Sequence, residues 1–255
     1  HSDEIQLAAE AGINLFIEKP IALTSEQAWN MVKAVETAGV KSQVGFMFRF
    51  DEAIETVREL ILSGEAGKPG LMTARYFCNA LHAPWWRDRQ KSGGQLVEQV
   101  IHMIDLMRYL MGDVTELSAL KCERGGQVAN AISLRFASGA VGLVNFSSLQ
   151  PRVQECVEVT GESTLAVVDN RVDLTYHRRG TNQSGETTWS RPDFAIPNQA
   201  NSTLELQGYI PELAHFAAAV RGEAEPCATI EDGVAVMRLL DLVEQNEGEV
   251  VQVGQ

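Results

Sequence analysis

From its first residue the chain alternates helical and strand-like spacing of apolar residues. His1 to Gly12 reads as a helix closed by glycine. Ile13-Asn14-Leu15-Phe16-Ile17 follows as a short buried strand, stopped by Glu18-Lys19-Pro20. Ser25 is placed to cap a second helix that runs to Ala38 and closes at Gly39. Ser42 to Phe48 is a second short strand, and Asp51 caps a helix built on Ile54, Val57, Leu60 and Ile61 that stops near Ser63-Gly64. Helix, strand, helix, strand in that order predicts a parallel α/β arrangement. Two strands with their helices leave apolar faces bare, so either another chain supplies the remainder or the sequence lacks its front. The second is the expectation.

The pattern changes after Gly67-Lys68-Pro69-Gly70. Leu71 to Asn79 is strand-like, and an aromatic, charged loop from Pro84 to Arg89 follows. Ser92-Gly93-Gly94 then opens a helix in which Leu96, Val100, Met103 and Ile104, Met107 and Leu110 recur at helical spacing as far as Gly112. Strands are predicted near 117–123, 127–136, 139–148, 153–160, 164–168 and 171–177, with turns at Gly125-Gly126, Ser138-Gly139, Gly161-Glu162 and Asp169-Asn170. That spacing predicts an antiparallel meander. Val141, Leu143, Val144 and Phe146 put apolar groups on both faces of one strand, which predicts burial on both sides and hence a homo-oligomer. Arg178 to Ser202 is polar and irregular, a long excursion. Amphipathic helices near 205–221 and 231–245 and a strand at Val250–Val253 complete the chain.

Composition narrows the functional classes. A length of 255 residues suits one large or two small domains. The net charge of −13 argues against nucleic acid or an anionic membrane as partner. Cys78, Cys122, Cys156 and Cys227 lie far apart and form neither a zinc pattern nor a disulfide framework, which fits a reducing cytosol. No apolar run is long enough to cross a bilayer and no signal peptide opens the chain, so the expected location is cytoplasmic.

Two short motifs carry candidate chemistry. Glu98 and His102 are one helical turn apart, so carboxylate and imidazole are expected side by side. A carboxylate there raises the imidazole's basicity and fixes its tautomer, which suits proton transfer near neutral pH. Glu18-Lys19-Pro20 stands at the carboxyl end of a predicted parallel strand, the rim where ligands collect in open α/β sheets. Lys19 there can hydrogen-bond a substrate hydroxyl, and proline fixes the turn, in trans or cis. A metal site on Glu98 and His102 lacks further ligands at helical or hairpin spacing.

Together these motifs resemble the Gfo/Idh/MocA family of NAD(P)-dependent oxidoreductases, which act mostly on sugars and cyclitols. The resemblance rests on His1, Ala11-Gly12, Glu18-Lys19-Pro20, Gly45-Phe46 with Arg49, Gly67-Lys68-Pro69, Gly93-Gly94, Glu98, His102, Asp105 and Leu110-Met111-Gly112. Pro211-Glu212-Leu213 with Phe216, Ala219 to Gly222, and Glu231-Asp232-Gly233 continue it to the closing helices. Gln95 stands where the family has a third glycine, and Glu98 where it has aspartate.

The resemblance implies an α/β plus α+β fold: residues 1–48 as a partial Rossmann remnant, then a large open, mostly antiparallel sheet with helices on one face over 49–255, the substrate-binding and oligomerisation domain. It implies that Lys19, Glu98 and His102 are catalytic, and that Glu18, Lys19, Pro20 and Arg87 meet the cofactor. Met47, Phe48 and Trp86 are implied to line the substrate pocket. Asp105 is carried with them, although a structural hydrogen bond to a neighbouring loop is its plainer role, and Arg49 reads as structural. The expected cofactor is NAD or NADP, the substrate a small polyol or sugar, and the assembly a dimer or tetramer formed through the sheet face. No Gly-x-Gly-x-x-Gly occurs, so the phosphate-cradling turn is expected to precede His1, and this chain alone is expected to bind dinucleotide weakly or not at all. Two other functions remain open: a sugar- or nucleotide-sensing regulator that keeps the fold without turnover, and an NAD-dependent glycosidase with no net redox change.

Overall fold

The computed structural model describes residues 1, 3–78, 84–150, 153–162, 164–178, 194–196 and 207–254. The end of the predicted strand at Asn79, His82, most of the polar excursion and the first residues of the helix predicted from 205 lie outside the described residues, as does the side chain of Arg87.

The first unit is α1 (Asp3–Glu10), β1 (Leu15–Ile17), α2 (Ser25–Ala38) and β2 (Ser42–Val44), with β1 and β2 parallel in the register Leu15 to Ser42. Thr24, one residue before the expected cap, holds the start of α2, its hydroxyl accepting from the Gln27 N–H at 3.3 Å. β2 is shorter than its apolar run suggests. The Phe46 N–H bonds back to the Val44 carbonyl, and the chain turns into a 3₁₀ segment over Met47–Phe50 instead of extending to Phe48. That turn puts Phe48 and Arg49 inside the protein. α3 (Glu52–Leu62) follows; Asp51 sits at its start without capping it, because its carboxylate is taken by Arg171.

The second unit is built on β3 (Leu71–Phe77), β4 (Val114–Arg124), β5 (Gln127–Phe136), β6 (Val141–Ser147), β7 (Gln154–Gly161), β8 (Thr164–Asp169), β9 (Asp173–Arg178), β10 (Phe194–Ile196) and β11 (Val251–Gln252). Among the described residues they form one nine-stranded sheet in the order β10-β9-β8-β7-β3-β6-β5-β4-β11. The expected meander is therefore interrupted. β3, made before the site helix, lies between β6 and β7, parallel to the first and antiparallel to the second. Its alternating burial, with Met72, Ala74 and Tyr76 inward, supplies the central apolar strip that β6 and β7 complete with Val144, Phe146, Val157 and Val159.

Helices cover one face. After a short α4 (Arg89–Ser92) and a π-helical turn over Leu96–Val100, α5 (Ile101–Met111) packs on β3 and β6. α6 (Tyr209–Arg221) and α7 (Ile230–Gln245) follow, and α7 packs against both α5 and α2. Gly233 allows that approach: a Cβ there would stand 2.8 Å from Ile21 just past the Glu-Lys-Pro motif. The opposite face of the sheet is open in the single chain, with Leu120 64% and Leu143 42% exposed, so the two-sided burial expected of β6 is not met within one subunit.

A buried ionic knot ties the turn after β2 to α5 and α7. Arg49 makes a two-point contact with Asp105 of α5 at 2.6 and 2.8 Å, and also reaches Asp232 of α7 at 3.0 Å. Asp232 in turn closes a capping box with Thr229 and takes Arg108 at 3.1 Å.

Glu212 of α6 is 2% exposed, and its Oε2 has no partner among the described residues. Burial, helped by the charge of Glu18, pushes its carboxyl up to about 8. Folded Glu212 thus keeps a proton that the unfolded chain has released between pH 4.5 and 8, so stability falls as pH rises through that window. One such group gives a slope of about 1.4 kcal/mol per pH unit. Asp51, pushed up to about 7 mainly by burial, contributes only at lower pH. Thermal unfolding should show the wild type losing stability between pH 7 and 8 and Glu212→Gln losing distinctly less; equal losses would mean that Glu212 is ionised throughout.

Candidate active site

The tip of β1 and the start of the site helix meet. After Ile17 the chain runs through Glu18, Lys19 and a cis peptide to Pro20, anchored by buried Ile21 and Ala22. Across from it, Gly93 sits at φ +73°, and a Cβ there would stand 2.6 Å from Cβ of Val97, so both the backbone conformation and the close approach call for glycine. Lys19 Nζ donates to the Glu98 backbone carbonyl and lies 3.5 Å from Glu98 Oε1, with both side chains largely buried.

His102 is buried one turn further on. Its ring stacks on Phe48 at 4.3 Å and 9°, and meets Phe46 edge-on at 6.3 Å. Its Nδ1 is buried with no hydrogen-bond partner among the described residues. Burial holds the imidazole well below its ordinary value, and the charges of Lys19 and Arg171 lower it further. The ring is neutral at physiological pH and can accept a proton. Glu98 is pushed above the usual carboxylate range by burial, against the pull of Lys19.

This corrects the expectation that Glu98 makes His102 more basic. The carboxylate turns to Lys19 instead. The positive groups around the ring depress the imidazole where a neighbouring carboxylate would raise it.

The other expected residues divide. Phe48 is buried under His102, and Met47 is half-buried beside it on the same 3₁₀ turn. The Glu18 side chain is exposed and its carbonyl meets the His1 ring at 2.9 Å. Asp105 is sealed from solvent with both oxygens on Arg49, so the structural role is the one observed and a substrate contact is not. The Trp86 carbonyl accepts from the Ser92 hydroxyl, and the residue borders a cavity of about 220 Å³ lined also by Gly94, Gln95 and Phe146. Arg171 was given no role beyond the strand it was predicted to begin, yet it contributes to the field at His102; nothing in the spacing of a surface-like Asp-Asn-Arg segment marks it. Among the described residues no group of three or more His, Cys, Asp or Glu could hold a metal ion, and no helix is long and apolar enough to cross a membrane.

Residues 1–46 match the oxidoreductase family model with an NAD-binding Rossmann fold, and residues 54–166 match the GFO/IDH/MocA C-terminal domain. Over 90% of its length the chain is 33% identical to the scyllo-inositol 2-dehydrogenase (NAD(+)) of Bacillus subtilis (strain 168), covering 67% of that protein. The chain belongs to the Gfo/Idh/MocA oxidoreductase family. It is also 30% identical to the D-apiose dehydrogenase of Paraburkholderia graminis, over 99% of this chain and 70% of that one. Levoglucosan dehydrogenase in complex with NADH and L-sorbose shares the fold, with a TM-score of 0.86, 22% identity and coverage of 100% of this chain and 77% of that one.

In this Gfo/Idh/MocA member, Lys19 is the cation that keeps a buried Glu98 from rising further. Lys19→Met should therefore move the Glu98 carboxyl midpoint upward, and should raise that of His102 by removing a like charge. Carbon NMR titration of labelled carboxyl groups, assigned with Glu98→Gln, reads the first directly; an unmoved Glu98 midpoint would exclude the ion pair.

Proposed function

We propose that the chain carries the substrate site of a nicotinamide-dependent dehydrogenase that acts on a secondary hydroxyl of a sugar or cyclitol. The observation that carries this reading is the meeting of the Lys19 ammonium with Glu98 beside a neutral, buried His102. The names of the relatives, scyllo-inositol 2-dehydrogenase and D-apiose dehydrogenase, support the substrate class.

The residues present fit the nicotinamide end of the cofactor. Glu18, Lys19 and Pro20 form the strand tip, and Gly45 lets the Glu18 side chain pack against it, where a Cβ would come within 3.0 Å of the Glu18 carboxylate. NAD rather than NADP is favoured by the NAD(+) in the name of the Bacillus subtilis relative. A nicotinamide bound there would supply the hydride acceptor for the carbinol carbon. Lys19 orients the hydroxyl by donating to its oxygen, and the hydroxyl proton passes to the imidazole of His102 as the carbonyl forms. Glu98 holds Lys19 in place, and its added methylene relative to aspartate supplies reach toward the ammonium.

In this reading residues 1–48 belong to the cofactor-binding unit and 49–255 to the substrate-binding and oligomerisation unit, consistent with their separate sheets. The exposed Leu120, Val141 and Leu143 make the open sheet face the contact between subunits of a dimer or tetramer. The net charge of −13 and four free cysteines suit a cytoplasmic setting.

The test is NAD reduction with scyllo-inositol and D-apiose by the complete protein, beside His102→Ala. The variant should lose on the order of 10²- to 10⁴-fold in turnover while NADH binding is retained. Turnover that survives the substitution would overturn the role of His102. Fluorescence titration of residues 1–255 alone with NADH should show weak binding at most, since no glycine-rich phosphate cradle occurs in this sequence.

A further inference from the structure

Phe48 has a second neighbour. The guanidinium carbon of Arg171 stands 3.7 Å from the centroid of its ring, while the His102 imidazole stacks on the ring at 4.3 Å. Two groups at those separations cannot share one face of a phenyl ring, so Arg171, Phe48 and His102 form three layers.

The outer layer is held firmly. Arg171 is buried and makes a two-point contact with Asp51, which is fully buried, at 2.6 and 2.8 Å. It also donates to the Gln207 carbonyl at 2.7 Å and lies 3.9 Å from Glu155. Its backbone is in the left-handed region, φ 71°, directly after Asn170 at φ 49°. Asparagine tolerates that region through local hydrogen bonds, whereas arginine gains nothing locally from it. A strained backbone carrying a buried, fully engaged side chain points to a task for that side chain.

We propose that Arg171 is a positioning residue for His102: with Asp51 behind it, its guanidinium clamps Phe48 and so fixes the plane of the imidazole beside the Lys19–Glu98 pair. This rests on the reading of His102 as the proton acceptor. The charged and titratable groups around the stack include Lys19 and Glu98 near His102, and, about Arg171, Asp51, Glu155, Glu212, Tyr209 and Tyr76. Arg49 lies 5.7 Å from the ring of Phe46, which meets His102 edge-on. Burial disfavours the imidazolium first, and the charges of Lys19 and Arg171 act in the same direction.

Nuclear magnetic resonance of histidine-labelled protein, with His102 assigned by His102→Asn, tests this without turnover. Packing on Phe48 gives His102 a ring-current shift. In Arg171→Met that shift should collapse and the His102 midpoint should rise. Arg171→Lys keeps the charge but not the planar fork, so it should lose much of the ring-current shift while the midpoint stays low. In the complete enzyme both variants should lower kcat by about tenfold to 100-fold with little change in KM. A folded variant whose His102 shift and midpoint match the wild type would overturn the proposal. If Arg171→Met does not fold, an unchanged His102 shift in Arg171→Lys overturns it equally. Loss of the His102 signature in a protein that never turns over sugars would instead leave the clamp standing and defeat the dehydrogenase reading.

Discussion

The position of the imidazole depends on the buried ion pair between Arg49 and Asp105. Arg49 leaves the first α/β unit on the turn after β2, and Asp105 stands on the helix that lines the large sheet. Taking both charges from water is costly, and the two-point geometry with Asp232 and the Cys227 carbonyl as further partners offsets that cost. Losing one partner would strand the other, a penalty of about 3–5 kcal/mol. Phe48 is the residue beside Arg49, so the contact that ties the turn after β2 to α5 also bears on the ring on which His102 rests.

Within the site, burial outweighs pairing. Glu98 has a lysine beside it and is still raised; Asp51 has an arginine on both oxygens and is still pushed up to about 7. At His102 burial and positive neighbours act in the same direction. The consequence is an imidazole that is neutral at physiological pH. That property comes from the low-dielectric setting and two cations, with no carboxylate against the ring, which differs from the usual carboxylate–imidazole arrangement.

Much of the architecture was legible in the apolar pattern. The parallel start, the strand succession from Val114 to His177 and the two closing helices follow from residue spacing that one buried face imposes. The place of β3 was not legible, because strand order is a choice among long-range pairings that leave no mark on local spacing. The end of β2 at Val44 was hidden for a related reason: Phe46 and Phe48 continue an apolar run, but they are buried by a turn and not by a sheet. At the site, Lys19, Glu98 and His102 were identifiable as residues, while their pairing was not. Arg171 lay beyond sequence reasoning altogether, since a buried arginine in a tight turn looks like a solvated one until its partner, distant in sequence, is known.

The two departures from the family pattern at the helix start belong to one local design. Gln95, standing in place of a glycine, donates from Nε2 to the Cys78 carbonyl at 3.1 Å, tying the helix start to the end of β3. Just beyond it the widened turn interrupts the regular helical ladder, and the Glu98 carbonyl there accepts from Lys19. A glutamate has the reach to bring its carboxylate to the same ammonium that its own backbone engages. Lys19 is therefore gripped at two points by one residue, in a segment held to the central strand by Gln95. Such a grip fixes the ammonium more firmly than a single contact would and, among the described residues, leaves the His102 ring with no carboxylate partner, so the two departures and the depressed imidazole are parts of the same arrangement.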